Sequence, residues 1–119
     1  MMQKEDIKRL FEKYQYGTRS PKGQILNDFP NETEQAINFI IDDGFDMTDW
    51  YLHEFVEHRD WLDFIFMNSK IKSQFSLFYE KKNNRWTACY DDCNACEHAA
   101  LNIADAVNKF DCHWVFQKE

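Results

Sequence analysis

The spacing of apolar residues predicts three helices in the first part of the chain. Residues 3–16 repeat apolar side chains every three or four positions, and Gly17 stands where a helix C-terminus favours glycine. A second helix is predicted from Asn31 to Gly44, with the asparagine as its N-cap and the glycine as its terminator. Apolar residues at helical spacing also predict a long third helix from about residue 46 to residue 68.

Alternating apolar and polar residues predict strands in the second part. Residues 73–80 and 85–90 alternate with a period of two, and the sequence KKNN between them predicts a hairpin connection. A fourth helix is predicted to begin at Asn94, where Glu97 completes a capping-box pattern, and the tail CHWVF is predicted as a last strand. The predicted fold class is α+β: one globular domain, residues 1–119, with three N-terminal helices, then a β-hairpin, a helix and a C-terminal strand forming a small, mainly antiparallel sheet. Residues 25 and 26 are predicted as a short extended piece within the loop after the first helix.

The predicted third helix carries large rings on both of its faces. At about 100° per residue, Trp50, Trp61 and Phe64 fall opposite the main apolar stripe, beside two glutamates. Exposed rings on an acidic surface are typical of interface anchors inside a charged rim. Two interpretations stay open: the rings are exposed anchors, or they belong to the core because the helix is covered on both sides or breaks near Arg59.

Negative charge is concentrated in one section of the chain. The net charge is -7, yet residues 31–66 hold ten acidic residues against a single basic residue, Arg59. Residues 1–24 hold six basic and three acidic residues, and residues 67–119 hold seven of each. A field of this sign repels nucleic-acid phosphates and lipid head groups, and it attracts basic protein surfaces or cations. Direct binding to nucleic acid or to a membrane is therefore not predicted.

These features predict a small protein that binds and regulates a basic protein partner. The sequence contains no glycine-rich phosphate loop, metalloprotease motif or nucleophile elbow, which favours binding over catalysis. Basic protein surfaces often serve nucleic-acid handling, so the predicted partner is a protein such as a nuclease or a CRISPR effector, with acidic side chains in place of phosphates. The residues predicted to contact it are Trp50, Trp61 and Phe64 as anchors, and Asp42, Asp43, Asp46, Asp49, Glu54, Glu57 and Asp60 as the source of charge.

In size, charge and lack of a catalytic motif, the chain is similar to the small acidic inhibitors of bacteria and their phages. These include immunity proteins for nuclease toxins, anti-restriction proteins and anti-CRISPR proteins. The similarity is one of class and rests on no aligned residues. It implies a nucleic-acid mimic that acts in the cytoplasm without a cofactor. The charged first residues, MMQKEDIKRLFEK, also differ from the apolar stretch of a secretory signal, which agrees with a cytoplasmic prediction.

A cluster of cysteines supports an alternative prediction, a zinc-stabilised or thiol-active protein. Cys93 and Cys96 form one C-x-x-C pair, and Cys112 with His98 would complete four zinc ligands. On the predicted last strand, Cys112 and His113 point to opposite faces, so both cannot easily bind one ion. Buried free thiols are the simpler explanation of these cysteines in a reducing compartment.

Overall fold

Five antiparallel strands form the sheet, and helices precede and follow it along the chain. The computed structural model describes residues 3–14, 25–90 and 99–117, and of residue 27 and residues 111–117 it describes the backbone alone. The helices are α1 (Lys4–Glu12), α2 (Ile25–Asp28), α3 (Pro30–Asp43) and α4 (Ile103–Gln117). The strands are β1 (Trp50–Glu57), β2 (Trp61–Asn68), β3 (Gln74–Glu80), β4 (Arg85–Cys89) and β5 (Ala99–Ala100).

The strands lie in the sheet in the order in which they occur in the chain. Each pairs antiparallel with the next, giving the order β1-β2-β3-β4-β5. One row of paired residues crosses the whole sheet: Phe55, Phe64, Leu77, Ala88 and Ala100. Because side chains alternate across a strand, this row and the rows two residues away face the same side.

Aromatic rings fill the space between that side of the sheet and the helices. The Phe11 ring of α1 meets the edges of Phe64 and Phe66, with ring centroids 5.7 and 5.8 Å apart. Buried aliphatic side chains of α3 and the start of α4 join the same cluster. Trp86 on β4 donates its indole N–H to the Gln35 side chain of α3 at 2.7 Å, which fixes the helix over the sheet. Ring pairs of this kind contribute roughly 0.5–1.5 kcal/mol each beyond the area they bury.

The predicted long helix from residue 46 to residue 68 is wrong, because this segment forms the β1–β2 hairpin. Arg59 and Asp60 lie at the turn, where the His58 N–H donates to the Trp61 carbonyl at 2.9 Å. A turn without Asn-Gly or Asp-Gly gives little local signal in the sequence. The predicted break near Arg59 therefore corresponds to a reversal of the chain between two strands.

A β-bulge explains why the first strand resembles a helix in sequence. The register shifts between Leu52 and Glu54, so the inward-facing Leu52 and Phe55 are three residues apart instead of two. A spacing of three is also a helical spacing, and periodicity cannot separate the two cases over so short a segment. The Phe55 N–H at this bulge donates to the Tyr14 hydroxyl at 3.0 Å, which stabilises the irregular strand.

The end of the chain also differs from the prediction. Residues 112–116, predicted as a strand, lie within α4, so the predicted C-terminal strand is wrong. Asn102 is the residue at the start of this helix: its side chain accepts the Asp105 N–H at 2.8 Å. The start predicted at Asn94 lies outside the described residues. The class is α+β, but the order of three helices, hairpin, helix and strand is wrong.

The strongest local signals predicted their elements correctly. Gly44 follows the last residue of α3 and has the left-handed φ of 69° expected of a C-terminal glycine. The predicted start is wrong: the helix begins at Pro30, so Phe29 and not Asn31 is its N-cap. The first helix is confirmed as α1, although it ends at Glu12. The β3–β4 hairpin is confirmed with Lys81–Asn84 as its turn. The short extended piece at Ile25 is instead the single helical turn α2.

The burial of Phe64 gives a direct stability prediction. Its side chain is 0% exposed in the centre of the sheet, so Phe64→Ala should lower the free energy of unfolding by about 3–5 kcal/mol. Tyr51→Ala on the neighbouring strand is the control: Tyr51 is 41% exposed and its loss should cost less than about 1 kcal/mol. Urea unfolding followed by circular dichroism measures both changes. Equal small losses for the two variants would contradict a buried Phe64.

Candidate binding surface

The three rings predicted as surface anchors do not form an exposed row. Trp50 is 7% exposed and Phe64 is 0% exposed, and both belong to the main core. Trp61 is half-buried on the other side of the sheet, where it stacks on Phe78 with ring centroids 5.8 Å apart. The predicted outer face of a helix is lost with the helix itself. Trp50 and Phe64 agree with the second of the two open interpretations, in which the rings are core.

The seven acidic residues predicted to bind divide between the two ends of β1. Two of them, Asp42 and Asp43, are the last residues of α3, and two, Asp46 and Asp49, lie between α3 and β1; all four are exposed. Glu57 and Asp60 lie at the opposite end of the strand. Glu54 lies within β1, between this end and the acids near α3, and is half-buried. An eight-residue strand is roughly 27 Å long. The acids therefore form two separate groups. The first group, Asp42, Asp43, Asp46 and Asp49, is called the acidic corner below.

Tight backbone reversals hold the acidic corner in place. Gly44 ends α3 and donates its N–H to the Ile41 carbonyl at 3.0 Å. The Asp46 carboxylate then accepts the Thr48 N–H at 3.0 Å and the Thr48 hydroxyl at 2.7 Å. Asp49 has a left-handed φ of 69°, which aspartate tolerates better than most residues. Four aspartates are thus presented within eight residues on a turn with few backbone alternatives.

The described residues place no basic side chain against the acidic corner. Within the described residues, none of its four carboxylates lies within 4.0 Å of a Lys, Arg or His nitrogen. Asp42 and Asp43 occupy the last turn of α3, where the helix dipole is negative and where basic residues are normally favoured. The two hydrogen bonds from Thr48, first that of its hydroxyl, hold the pKa of Asp46 below its usual value. Asp46 therefore stays charged to a lower pH than an unbonded aspartate.

Asp43 also has a structural role. Its carboxylate accepts the Ile103 N–H of α4 at 2.9 Å, so it caps the positive end of one helix from the negative end of another. This bond joins the α3 and α4 termini across sixty residues of sequence. Asp43 is therefore the corner residue whose removal should cost stability.

At the opposite end of the sheet, negative charges have positive partners. Lys81 lies 3.4 Å from Glu57 and donates to the His58 carbonyl at 3.1 Å. Arg85 pairs with Glu80 at 2.7 Å, and the bonds from Asn83 and Arg85 lower the pKa of Glu80. The excess negative charge that the sequence indicates is therefore least compensated at the acidic corner.

A buried carboxylate that sequence reasoning did not select lies on the second side of the sheet. Asp63 has an 8% exposed side chain, and its carboxylate oxygen is 3.6 Å from the Nε2 atom of His58. The His58 ring packs on Trp61 with centroids 4.6 Å apart. In the sequence, Asp63 stands among apolar residues of β2, and nothing there indicates that it pairs with His58. The pair ties the hairpin turn to the sheet, and no nucleophile of the described residues adjoins it in the strand register.

The zinc alternative falls largely outside the described residues. Cys93, Cys96 and His98 all lie there, and Cys112 lies in α4 at a position where the backbone alone is described. Cys89 is a buried cysteine on β4. Among described side chains, no group of three or more His, Cys, Asp or Glu residues is arranged to hold a metal ion.

Four large apolar side chains are exposed in the described part of the chain. They are Ile41 (38%), Tyr51 (41%), Ile71 (57%) and Leu101 (91%). Helical spacing in the sequence predicts inward-facing positions for Ile41, Tyr51 and Leu101, and the structure contradicts all three predictions. No hydrophobic pattern distinguishes an exposed leucine beside a helix start from a buried one.

Comparisons with known proteins identify no relative. No protein-family model, no curated protein and no solved structure matches the chain significantly. In the ranges that the structure describes, no helix is both long enough and apolar enough to span a lipid bilayer.

Neighbouring aspartates of the acidic corner should have opposite effects on stability. Asp42→Asn removes a negative charge from the negative end of α3 and should raise the free energy of unfolding by about 0.3–1 kcal/mol at low salt. Asp43→Ala removes the acceptor of the Ile103 N–H at the start of α4 and should lower the free energy of unfolding by about 1 kcal/mol. Parallel urea titrations compare the two variants with the unchanged chain. A loss of stability in Asp42→Asn as large as that in Asp43→Ala would refute this assignment of roles.

Proposed function

We propose that this chain is a small acidic protein that docks its acidic corner on a basic surface of a nucleic-acid-handling protein, such as a nuclease or an RNA-guided effector, and blocks or regulates it. The observation that carries the proposal is the set of four exposed aspartates without a basic partner among the described residues. The proposed binding surface is this group of aspartates and not the outer helix face predicted from the sequence, because that helix does not form. Trp50 and Phe64 are excluded from the proposed surface because they are buried.

The position of the charge supports recognition more than stability. Carboxylates at the C-terminus of a helix oppose its dipole, so Asp42 is placed where it costs folding energy. Natural proteins carry such unfavourable groups where stability remains sufficient, and functional sites are one place where they occur. An exposed, uncompensated negative field increases the rate of encounter with a basic surface, and this effect weakens as salt screens it.

A basic surface that handles nucleic acid is the natural complement of this corner. Such surfaces place Lys and Arg where phosphates bind, and carboxylates can occupy the same positions. Binding would then exclude nucleic acid by direct competition. The proposed setting is the cytoplasm, where such partners act.

The test compares two variants that lose the same number of charges. Asp42→Asn, Asp46→Asn and Asp49→Asn together remove three charges from the corner, and they spare Asp43, the cap of α4. The control variant combines Glu34→Gln, Glu57→Gln and Asp60→Asn, three surface acids outside the corner. Both sets are close in shape to the original residues, so folding should be kept, which thermal unfolding verifies.

Candidate nucleases and RNA-guided effectors are purified, and their association with the chain is followed by surface plasmon resonance. The corner variant should associate about tenfold or more slowly than the control variant at low salt, and the difference should shrink as salt rises. A duplex DNA competitor should release the chain from the partner. Equal association of the two variants, or a complex that DNA leaves intact, would count against the proposal.

A further inference from the structure

Leu101 is the most exposed large apolar side chain among the described residues, and its exposure is unusual for its position. It precedes Asn102, the N-cap of α4, and is 91% exposed. A hydrophobic residue just before the N-cap commonly packs on the fourth residue of the helix. That residue here is Ala106, which is 0% exposed in the core, so Leu101 does not make this contact. The folding of α4 therefore does not account for Leu101.

The backbone that carries Leu101 is fixed. The Leu101 N–H donates to the Asp105 carboxylate at 3.1 Å, and the Asp105 N–H donates to Asn102 at 2.8 Å. Two residues after Leu101, the Ile103 N–H donates to the Asp43 carboxylate of the acidic corner. An apolar side chain on a fixed backbone loses little conformational entropy when a partner covers it.

The other exposed apolar side chains border the same corner. Each lies within two residues of a corner aspartate or of a residue hydrogen-bonded to one. Ile41 adjoins Asp42 in α3, and Tyr51 follows Asp49 by two residues. Ile71 follows Ser69 by two residues, and the Ser69 N–H donates to the Asp49 carbonyl at 2.8 Å. These apolar side chains therefore adjoin the acidic corner along the backbone, and Leu101 is joined to it through the bond between Ile103 and Asp43.

We infer that Leu101, together with the acidic corner, forms a docking surface for a protein partner that presents an apolar pocket bordered by Lys or Arg side chains. This inference rests on the proposed function and adds the apolar half of the partner's surface. Apolar anchors surrounded by charge are the usual composition of an energetically important interface. Charge complementarity selects the occupant: a basic border matches Asp43, whose carboxylate is bonded to the backbone two residues after Leu101, and the other aspartates of the corner.

The same charges argue against two other occupants. A second copy of this chain on a two-fold axis would bring the same aspartates together, and like charges oppose such a contact. An anionic lipid surface would be repelled in the same way. A basic protein surface avoids both penalties.

Two designed peptides provide the test. The first is a helix of leucine and lysine with the leucines on one face, and the second replaces every leucine by alanine at the same charge. Fluorescence anisotropy at about 0.15 M salt measures the binding of each peptide to the full chain. The chain should bind the leucine peptide about ten- to a hundredfold more tightly than the alanine peptide, because one well-covered leucine supplies an effect of that size.

Three variants separate the contributions. Leu101→Ser should remove most of the preference for the leucine peptide, whereas Leu101→Met should keep it. Neither change should alter the melting temperature of the protein, because the Leu101 side chain is exposed. The corner variant with Asp42→Asn, Asp46→Asn and Asp49→Asn should weaken the binding of both peptides.

The outcomes distinguish this inference from the function on which it rests. Equal binding of both peptides that still depends on the aspartates would overturn the apolar anchor and leave the acidic docking intact. Loss of aspartate dependence would overturn the basic border and the proposed function together. Failure of both peptides to bind would overturn the docking surface. Sedimentation that shows a dimer which Leu101→Ser converts to a monomer would assign the surface to a second copy and refute a basic partner.

Discussion

The packing of phenylalanine rings on one side of the sheet is the interaction on which the rest of this structure depends. Phe55 and Phe64 face each other across β1 and β2 with ring centroids 4.9 Å apart, and Phe66 stacks on Phe75 of the next strand at 5.0 Å. Because side chains alternate along a strand, burying these rings determines the direction of every neighbouring side chain. The exposed charges of this segment are consequently found mainly at the ends of the strands and in the turns.

This constraint connects the core to the candidate surface. The chain must reverse from α3 into β1 to bring Trp50 against Phe75, with ring centroids 5.1 Å apart. The reversal is made by Gly44 and by the turn that ends at Asp49. It exposes Asp46 and Asp49 next to the aspartates that end α3. Asp43 then joins this reversal to α4 through Ile103. The acidic corner, the α4 start and the exposed Leu101 are thus positioned by one set of contacts.

The sequence predicted those elements whose local signals were specific. Gly44 after an apolar stripe and KKNN between alternating residues are specific signals, and the end of α3 and the β3–β4 hairpin lie where these signals predict them. The β1–β2 hairpin could not be predicted in the same way, because its bulge at His53 copies a helical spacing and its turn lacks glycine. Likewise, Asn102 and Asp105 are an ordinary cap pair that a stronger-looking pattern at Asn94 obscured.

The candidate site was predictable in its charge and not in its shape. The acidic excess of residues 31–66 is a property of composition, and nearly all of those acids lie at the surface in the structure. Their division between two ends of the sheet requires the tertiary fold, as does the pairing of Glu57 with Lys81 that leaves the corner as the less compensated group. Exposure of Leu101 is also a tertiary property, since helical spacing alone assigned it to the core.

The most direct test of this account is the backbone conformation of residues 50–68 in solution, measured by NMR from carbon secondary chemical shifts with cross-strand nuclear Overhauser contacts. The account predicts strand shifts for residues 50–57 and 61–68, an interruption at Arg59 and Asp60, and contacts between the Phe55 and Phe64 backbones. Continuous helical shifts through this segment, without those contacts, would contradict the hairpin. They would also remove the structural basis of the acidic corner and of the buried positions of Trp50 and Phe64.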